Sequence, residues 1–350
     1  MSVESLRARM VDEGWTRERS LVVVLLLAAA PLLLPTFQVY LLTEFLIVAL
    51  FAIAFNLLYG YTGLLSFGHA MFYAGAGYAL VNFMGEYADA FGAFGGTEPL
   101  VTYLAGTAVG VAFVVAIALP VGFLSVRLEE IYFALISLSF SMAFYAAALQ
   151  DVGGYTRGSD GISVLLTSVE VGGESVSLLG GRPPFYLLTL AIVGVSVYAL
   201  WRIVNSPFGL VCQAMRESPD RARALGVDVQ FHQWVAFVVS AVFTGIAGAL
   251  IAPLYGVVSP DLAHWTTSAI PVIAAVIGGA RYFLGPAVGA FIFLYLRWAI
   301  SQYPALEAHW ELVFGVVLMA VLLYFREGVA GGLDLARRRL LGRENGGETA

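Results

Sequence analysis

The 350-residue sequence contains no lysine, and all 18 of its basic residues are arginine. A phosphate-binding P-loop needs a Gly-Lys-Ser/Thr sequence, so this chain is not a P-loop ATPase by itself. The sequence also lacks the His-Glu-x-x-His pair of zinc peptidases and the Gly-x-Ser-x-Gly turn of serine hydrolases. Energy for any active process is therefore expected from another subunit or from an ion gradient.

Cysteine and charge are scarce as well. Cys212 is the one cysteine, which excludes an internal disulfide and a cysteine-based metal cluster. Charged residues make up 12% of the chain, whereas soluble domains contain roughly 25%. With 60% apolar residues and a mean hydropathy of +0.85, the composition indicates a protein of the lipid bilayer without a separate soluble domain. The net charge of −6 gives no indication of a nucleic-acid partner.

Long apolar stretches are what the sequence has instead. A spanning helix needs roughly 20 predominantly apolar residues, so a chain of this length has room for about ten. The stretches lie at 20–35, 37–59, 62–84, 100–124, 131–150, 185–204, 233–254, 266–280, 283–300 and 310–325. The predicted fold is an all-α polytopic membrane protein with about ten transmembrane helices.

The arginines predict the orientation of these helices, because cytoplasmic loops carry most of the positive charge. With ten spans and both termini inside, 15 of the 18 arginines fall on the cytoplasmic side of the plasma (inner) membrane. The predicted segments are a cytoplasmic N-terminal segment 1–19, a first transmembrane half 20–150, an extracellular loop 151–184, a second half 185–325 that includes the cytoplasmic loop 205–232, and a cytoplasmic tail 326–350.

Two halves of five helices enter the membrane from opposite sides, which predicts an inverted repeat. The third helix of each half is interrupted. Glycines interrupt the first between Gly60 and Tyr78, and the second runs from Trp265 through Pro271 to Gly279. Interrupted apolar segments at matching places in two halves indicate a transport pathway.

The first interrupted segment carries a polar face and a small-residue face when placed on a helical wheel at about 100° per residue. Thr62, Ser66, His69 and Tyr73 share the polar face. The small residues on the other face permit close helix packing. For His69, hydrogen bonding that holds the bundle together is favoured over contact with a substrate.

Glu44 is the one acid deep in an apolar stretch, and such residues are functional candidates by default. The alternative is that its side chain reaches the outer surface. A stripe of Ser137, Ser141 and Tyr145 is interpreted as a helix–helix contact. The predicted pathway residues are Glu44, Ser66, His69, Tyr73 and Pro271.

The cytoplasmic loop contains a second informative segment. Ser218 can cap a helix that begins at Pro219, and Gly226 can end it in the left-handed conformation. A short amphipathic helix is therefore predicted on the cytoplasmic surface. It is either an ordinary interfacial helix or a contact surface for a partner protein that moves.

Five groups of residues occur in an order and spacing that belong to one family. They are Asn56–Ala70, Thr156–Gly161, Ser206–Gly209 with Arg216-Glu217 and Ala224–Gly226, Ala247–Gly256 with Ser259-Pro260, and Gly278-Gly279 with Gly285-Pro286. Over about residues 40–290 the sequence resembles the permease subunits of branched-chain amino acid ABC importers, of the LivM type.

This resemblance implies a translocation subunit and no enzyme. Such a subunit pairs with a second related permease, receives its substrate from an extracellular solute-binding protein, and is driven by two cytoplasmic ABC ATPase subunits that bind ATP and Mg. No catalytic residue, metal or cofactor is expected on this chain. By similarity to the loop that engages the ATPase, Arg216, Glu217, Ala224 and Gly226 are predicted to couple the chain to it.

Two alternatives remain open from the residues alone. The substrate of a related importer could be urea or a short amide, and an ion-coupled secondary transporter could use Glu44 or His69 as a proton site. The absence of lysine is compatible with a high-salt habitat and equally with GC-rich coding.

Overall fold

The computed structural model describes residues 17–87, 98–164, 168–171, 174–177, 183–303, 309–324 and 328–332. Nearly all of the predicted N-terminal segment 1–19 and most of the predicted tail 326–350 lie outside the described residues.

The described residues include twelve helices. They are α1 (Arg17–Leu33), α2 (Thr36–Thr62), α3 (His69–Tyr87), α4 (Glu98–Ser125), α5 (Glu130–Leu149), α6 (Pro183–Val204), α7 (Pro207–Glu217), α8 (Pro219–Ala224), α9 (Val229–Tyr255), α10 (Trp265–Gly278), α11 (Gly285–Ser301) and α12 (Trp310–Tyr324). Single 3₁₀ turns lie at Gly158–Asp160 and Pro260–Ala263. Every apolar stretch recognised in the sequence overlaps one of these helices.

The architecture is that of a polytopic membrane protein. Five of the described helices are long and apolar enough to cross a bilayer, namely Thr36–Thr62, Leu100–Ser125, Ile131–Leu149, Pro183–Val204 and Val229–Tyr255. α10 and α11 are shorter apolar helices. Most of α2 is buried inside the protein, whereas most of α4, α5 and α6 is not. α2 is therefore the central helix, and the other three present apolar side chains outward.

Glycines end the two longest central helices. Gly63 follows α2 with φ +83°, and its N–H donates to the Tyr59 carbonyl at 3.2 Å. Gly256 follows α9 with φ +73°, and its N–H donates to the Ala252 carbonyl at 3.0 Å. This left-handed conformation favours glycine, and it satisfies carbonyls at the helix end that would otherwise be unpaired.

The first interruption lies within the predicted segment Gly60–Tyr78, but the helix after it begins later than predicted. Residues 63–68 are not helical, so the third helix begins at His69 rather than near residue 62. The predicted polar face was therefore wrong as a single helical stripe. Thr62 belongs to α2 and Ser66 to the connecting segment. The sequence remains apolar across this break, and for that reason hydropathy alone did not show it.

The second interruption lies outside the predicted segment, which ran from Trp265 to Gly279. α10 is continuous through Pro271, and the break precedes the helix, in the segment 256–264 that connects α9 to α10. We call residues 63–68 the first break and residues 256–264 the second break. The predicted all-α fold needs a further correction, since two short antiparallel strand pairs occur.

One strand pair joins distant parts of the chain. β1 (Ile162–Ser163), from the long loop after α5, pairs with β4 (Val257–Val258), from the second break, with Ile162 opposite Val258. The other pair, β2 (Ser168–Val171) with β3 (Glu174–Ser177), lies within that loop. We call the side of the protein that carries the β1–β4 pair the outer face and the opposite side the inner face.

Small residues bring the central helices close together. A Cβ added at Gly110 of α4 would lie 2.7 Å from the Ala76 carbonyl oxygen of α3, and Gly245 and Gly248 of α9 are similarly tight. Close approach of backbones through glycine and alanine is the usual basis of helix packing in lipid. Gly77 of α3, from the predicted small-residue face, lies against Gly248 of α9 and Val258 of the second break, whereas the crossing with α4 is made at Ala76.

Candidate functional site

The two breaks lie side by side within the membrane-spanning bundle. The Ala70 N–H at the start of α3 donates to Ser268 Oγ, near the start of α10, at 2.8 Å. α5 contacts both breaks with side chains one turn apart. Ser137 Oγ accepts from the Phe67 N–H at 3.1 Å, and Ser141 Oγ donates to the Ala263 carbonyl at 3.1 Å. α3 and α10 therefore start from one shared region.

Tyr145 completes the contact with the second break. Its ring lies 5.1 Å from the His264 ring, centroid to centroid, in an edge-on arrangement. The stripe of Ser137, Ser141 and Tyr145 therefore packs inside the protein, but its partners lie in the two breaks and not on another membrane-spanning helix as predicted. Backbone groups that have left a helix inside the membrane need such partners, because lipid offers none.

His69 holds the first break to two other helices. It is fully buried, with Nδ1 3.0 Å from Ser66 Oγ and Nε2 2.8 Å from Ser240 Oγ. Ser240 Oγ donates its proton to the Ala54 carbonyl at 2.6 Å. Ser240 must then accept from His69 Nε2–H, which leaves Nδ1 to accept from Ser66. Both ring nitrogens are satisfied in the neutral imidazole, and the chain of bonds ties α3 to α2 through α9.

Aromatic rings surround this imidazole. Phe55, Phe72 and Phe237 all meet it edge-on, with ring centroids 5.3, 5.8 and 5.9 Å away. Tyr73, one turn along α3, is also buried and stacks on Phe51 at 4.7 Å. Ser66, His69 and Tyr73 therefore lie together in the packed interior rather than on a cavity wall.

Glu44 lies apart from that group, near the outer face. Its Oε1 accepts a hydrogen bond from the Tyr255 hydroxyl at 2.9 Å. Both side chains line a cavity of about 550 Å³ between α2, α11 and the end of α9, and Arg297 lines it too. Pro271 does not line this cavity; it is buried within α10. Of the five predicted pathway residues, Glu44 lines the cavity, Ser66 and His69 hold the first break, and Tyr73 and Pro271 are packed in the interior.

At the inner face, Arg216 connects α7 to the end of α2, just before the first break. Its Nη1 donates to the Gly60 carbonyl in the last turn of α2. A Cβ added at Gly63 would lie 3.4 Å from Arg216 Cγ, so the arginine also packs along the end of the helix. A cation at a helix C-terminus is electrostatically favourable. Arg216 points inward to the helix that precedes the break, whereas Glu217 is exposed.

The short helix α8 has the predicted ends, which confirms that part of the prediction. Ser218 is its cap and accepts from the Arg221 N–H, and Gly226 follows with φ +86°. Ala222 is buried against the protein, whereas Ala224, Gly226 and Leu225 are exposed, Leu225 by 85%. An exposed leucine beside charged residues is available for contact with another protein.

The outer loop after α5 is ordered by one carboxylate. Asp151 Oδ1 accepts from the Thr156 N–H at 2.8 Å, the Thr156 hydroxyl at 2.9 Å and the Arg157 N–H at 3.0 Å. These bonds, those from Thr156 first, lower the pKa of Asp151 below its ordinary value of 3.8. Arg157 adopts φ +56°, a conformation that few non-glycine residues take.

Sequence reasoning missed several of these residues. Tyr255 and Ser240 were not singled out as partners of Glu44 and His69, because the sequence separations are 211 and 171 residues. Among the described residues, no group of three histidines, cysteines or acids converges in a way that could hold a metal ion.

A protein-family model described as "Branched-chain amino acid transport system / permease component" matches residues 37–322 of the chain. The chain is similar to the high-affinity branched-chain amino acid transport system permease protein LivM of Escherichia coli (strain K12), with 26% identity over 340 residues, 91% of this chain and 76% of that protein. No solved structure matches the chain.

Two further relatives extend this similarity to both kinds of permease. LivM of Salmonella typhimurium is 27% identical over 290 residues, 77% of this chain and 65% of that protein. The high-affinity branched-chain amino acid transport system permease protein LivH of Escherichia coli (strain K12) is 27% identical over 291 residues, 81% of this chain and 91% of that protein.

Proposed function

The chain belongs to the family of permease components of branched-chain amino acid transport systems, and on that basis we propose that it is a translocation subunit of an ATP-driven importer of branched-chain amino acids. It is a permease and not an enzyme. Its similarity to both LivM and LivH supports pairing with a second, related permease. Two ABC ATPases, which bind ATP and Mg, and an extracellular solute-binding protein complete the proposed importer.

The observation that carries this proposal is the arrangement of the inner face. Ala224 at the end of α8 and Leu225 directly after it are exposed. Arg216, near the end of the preceding helix α7, is hydrogen-bonded to the end of α2. A push on α8 by a cytoplasmic partner would therefore reach the helix that leads into the first break. This connection supports the proposed roles of Arg216, Glu217, Ala224 and Gly226 in coupling.

The proposed architecture is ten transmembrane helices in two inverted halves. α2 and α9 are each 27 residues long, and each ends at a left-handed glycine. Each is followed by a Gly-x-x-Ser sequence, at Gly63 and at Gly256, by a break, and by a helix of the next span. The helix α3 leads from its break toward the outer face and α10 from its break toward the inner face, as an inverted repeat requires.

We propose that the inner face is cytoplasmic, which places both termini in the cytoplasm. Six arginines of the described chain lie in loops or helix ends at that face: Arg127, Arg202, Arg216, Arg221, Arg223 and Arg281. At the outer face the described chain has Arg157 and Arg297. This asymmetry is the one expected of a membrane protein whose inner loops face the cytoplasm.

Among the predicted pathway residues, we propose that Glu44 contacts the substrate. Ser66, His69, Tyr73 and Pro271 would position the broken helices, because they are buried among protein groups. The family membership does not favour the urea or amide alternative or the ion-coupled transporter.

Reconstitution tests the proposed function. Vesicles that contain this chain with its co-purified permease and ATPase partners, supplied with the binding protein, are expected to take up labelled leucine only when ATP is present. Uptake that continues without any ATPase subunit would refute an ATP-driven importer.

Leu225→Asp tests the coupling surface separately. It places a charge on the exposed end of α8 and is expected to reduce both co-purification of the ATPase and uptake of leucine. Leu128→Asp is the matched control, since Leu128 is also exposed at the inner face but lies in the loop between α4 and α5. Equal co-purification with both variants would contradict the proposed role of α8.

A further inference from the structure

A cavity lies at the outer face of the described chain. It lies between the outer ends of α2, α9 and α11, and its volume of about 550 Å³ is within the range of roughly 300–1,000 Å³ that small-molecule pockets occupy. α2 and α9 are the helices that lead into the two breaks. A molecule bound here would therefore touch both halves of the protein at once.

Two opposite charges line this cavity. The Glu44 carboxyl comes from α2, and the exposed Arg297 side chain comes from α11. The Tyr255 hydroxyl fixes the carboxyl from the end of α9 with its 2.9 Å hydrogen bond. Ionisable side chains inside a membrane-spanning bundle are rare, and they mark substrate or ion pathways by default.

Apolar side chains form part of the remaining wall, which also contains Tyr40, Trp298 and Ser301. Leu41, Leu294 and Ile300 are buried and line the cavity. A pocket that combines an apolar wall with a few fixed polar groups binds a ligand whose body is apolar and whose head is polar. Because one of the polar groups is an anion and the other a cation, they favour a ligand whose polar head carries both a positive and a negative charge.

We propose that this cavity is an outer binding site for a free zwitterionic amino acid with an aliphatic side chain. The α-ammonium group binds the Glu44 carboxylate, the α-carboxylate binds Arg297, and the side chain lies against Leu41, Leu294 and Ile300. The planar guanidinium suits a carboxylate, to which it can donate two hydrogen bonds. The proposal rests on the proposed function and adds to it a site and a reason for substrate choice.

The site explains why a neutral amide would be a poor substrate. Urea has neither an ammonium nor a carboxylate group, so it would form no ion pair with Glu44 or with Arg297. It would also leave the apolar wall unfilled. An α-amino acid satisfies both charges at once, and its net charge is zero.

Direct binding to the transporter complex tests the site without interference from the binding protein. The complex is placed in nanodiscs made only of phosphatidylglycerol, and labelled leucine is bound in the absence of the binding protein. Unlabelled leucine is expected to displace the label at least about tenfold better than leucinamide, which lacks the carboxylate, or 4-methylpentanoate, which lacks the ammonium group.

Charge-removing substitutions test each contact. Glu44→Gln and Arg297→Gln are each expected to weaken leucine binding by about 10- to 150-fold, the range for loss of a hydrogen bond to a charged group. Glu44→Gln should leave competition by 4-methylpentanoate unchanged, and Arg297→Gln should leave competition by leucinamide unchanged. Glu86→Gln and Arg157→Gln remove exposed outer charges away from the cavity and are expected to bind leucine normally.

Three results would overturn the site. One is equal displacement of the label by leucine, leucinamide and 4-methylpentanoate on the unmodified complex, a result that does not depend on whether a variant folds. Another is normal leucine binding by both charge-removing variants. The third is the absence of leucine binding together with retention of phosphatidylethanolamine that Glu44→Gln abolishes, which would make the occupant a lipid headgroup.

The outcome also separates this proposal from the proposed function. If ATP-driven leucine uptake by the full system is present but these binding results fail, only the outer site is wrong. If the uptake itself is absent, the importer function is wrong.

Discussion

The close crossing of α3 and α4 at Gly110 should be the point where one added methyl group has a large effect. A Cβ at this position would lie 2.7 Å from the Ala76 carbonyl oxygen. Ordinary van der Waals contact begins at 3.4 Å, so the two backbones would have to separate by the difference, about 0.7 Å. Both atoms belong to helix backbone or are fixed to it, and no side-chain rotation can relieve the contact.

The magnitude follows from a comparison with a second glycine. Overpacking in a filled interior costs about 1–3 kcal/mol, while replacing glycine by alanine inside a helix stabilises it by up to about 1 kcal/mol. Gly194 of α6 has no atom within 4 Å of an added Cβ, so Gly194→Ala should show the helix contribution alone. The free energy of unfolding of Gly110→Ala should therefore be lower than that of Gly194→Ala by the steric cost, about 1–3 kcal/mol.

Cys212 supplies the assay. It is the single cysteine and is buried in α7, where burial raises the pKa of its thiol to about 12. The thiolate is the reactive form, so the folded protein should react slowly with a fluorogenic maleimide until unfolding exposes the residue. Heating the purified chain with this dye should give a lower midpoint for Gly110→Ala than for the unmodified protein, and an equal or higher one for Gly194→Ala.

Equal midpoints for the two alanine variants would refute the reasoning. So would a Gly110→Ala variant more stable than the unmodified protein, since the α3–α4 crossing would then have room for a side chain. Rapid labelling of Cys212 before unfolding would contradict its burial.

Three further predictions concern the inner face, the first break and the outer loop. Arg216→Met should leave the ATPase bound but lower leucine uptake at least about tenfold, because a charge-assisted hydrogen bond is lost. Arg223→Met, on the exposed surface of α8, is the control and should transport normally. Equal uptake by both variants would contradict a link through α2. His69→Leu should lower the unfolding midpoint, because it leaves buried hydroxyl partners unsatisfied at about 1–3 kcal/mol each, and an unchanged midpoint would exclude the hydrogen-bonded arrangement. The lowered pKa of Asp151 stabilises the outer loop fully above the ordinary pKa of 3.8, and this stabilisation is lost as the pH falls through the lower pKa of the folded state. Cleavage of the loop by pepsin should therefore rise only below about pH 4, while Asp151→Ala should be cleaved readily by neutral proteases at pH 7; identical cleavage of both proteins would show that this carboxylate does not order the loop.

Local patterns predicted the helices well but not the way in which two of them begin. The ends of α8 were predicted at Ser218 and Gly226, because a cap and a left-handed glycine act within one turn of the chain. The start of α3 was placed several residues early. The residues between Gly63 and His69 are as apolar as the helices beside them, and hydropathy cannot distinguish apolar helix from apolar break.

The candidate site was predicted in part for a related reason. Glu44 could be singled out, since an acid in an apolar stretch is conspicuous. Its hydrogen-bond partner Tyr255 could not, because it lies 211 residues away on another helix. His69 was assigned a helix-packing role as the favoured hypothesis, but the sequence contained no sign that Ser240 would meet it.

The sequence by itself determined that this chain lies in a membrane, which segments are helical, where several of them end, and the family to which it belongs. These properties depend on hydropathy, on caps and on motifs, all of which act within a few neighbouring residues. Only the tertiary structure decided that both breaks meet beside α5 and that Glu44 shares a cavity with Arg297. Transmembrane helices are alike in hydropathy, so hydropathy does not determine which helices pack together. Close glycine contacts and long-range hydrogen bonds determine it, and these form only when the bundle is assembled.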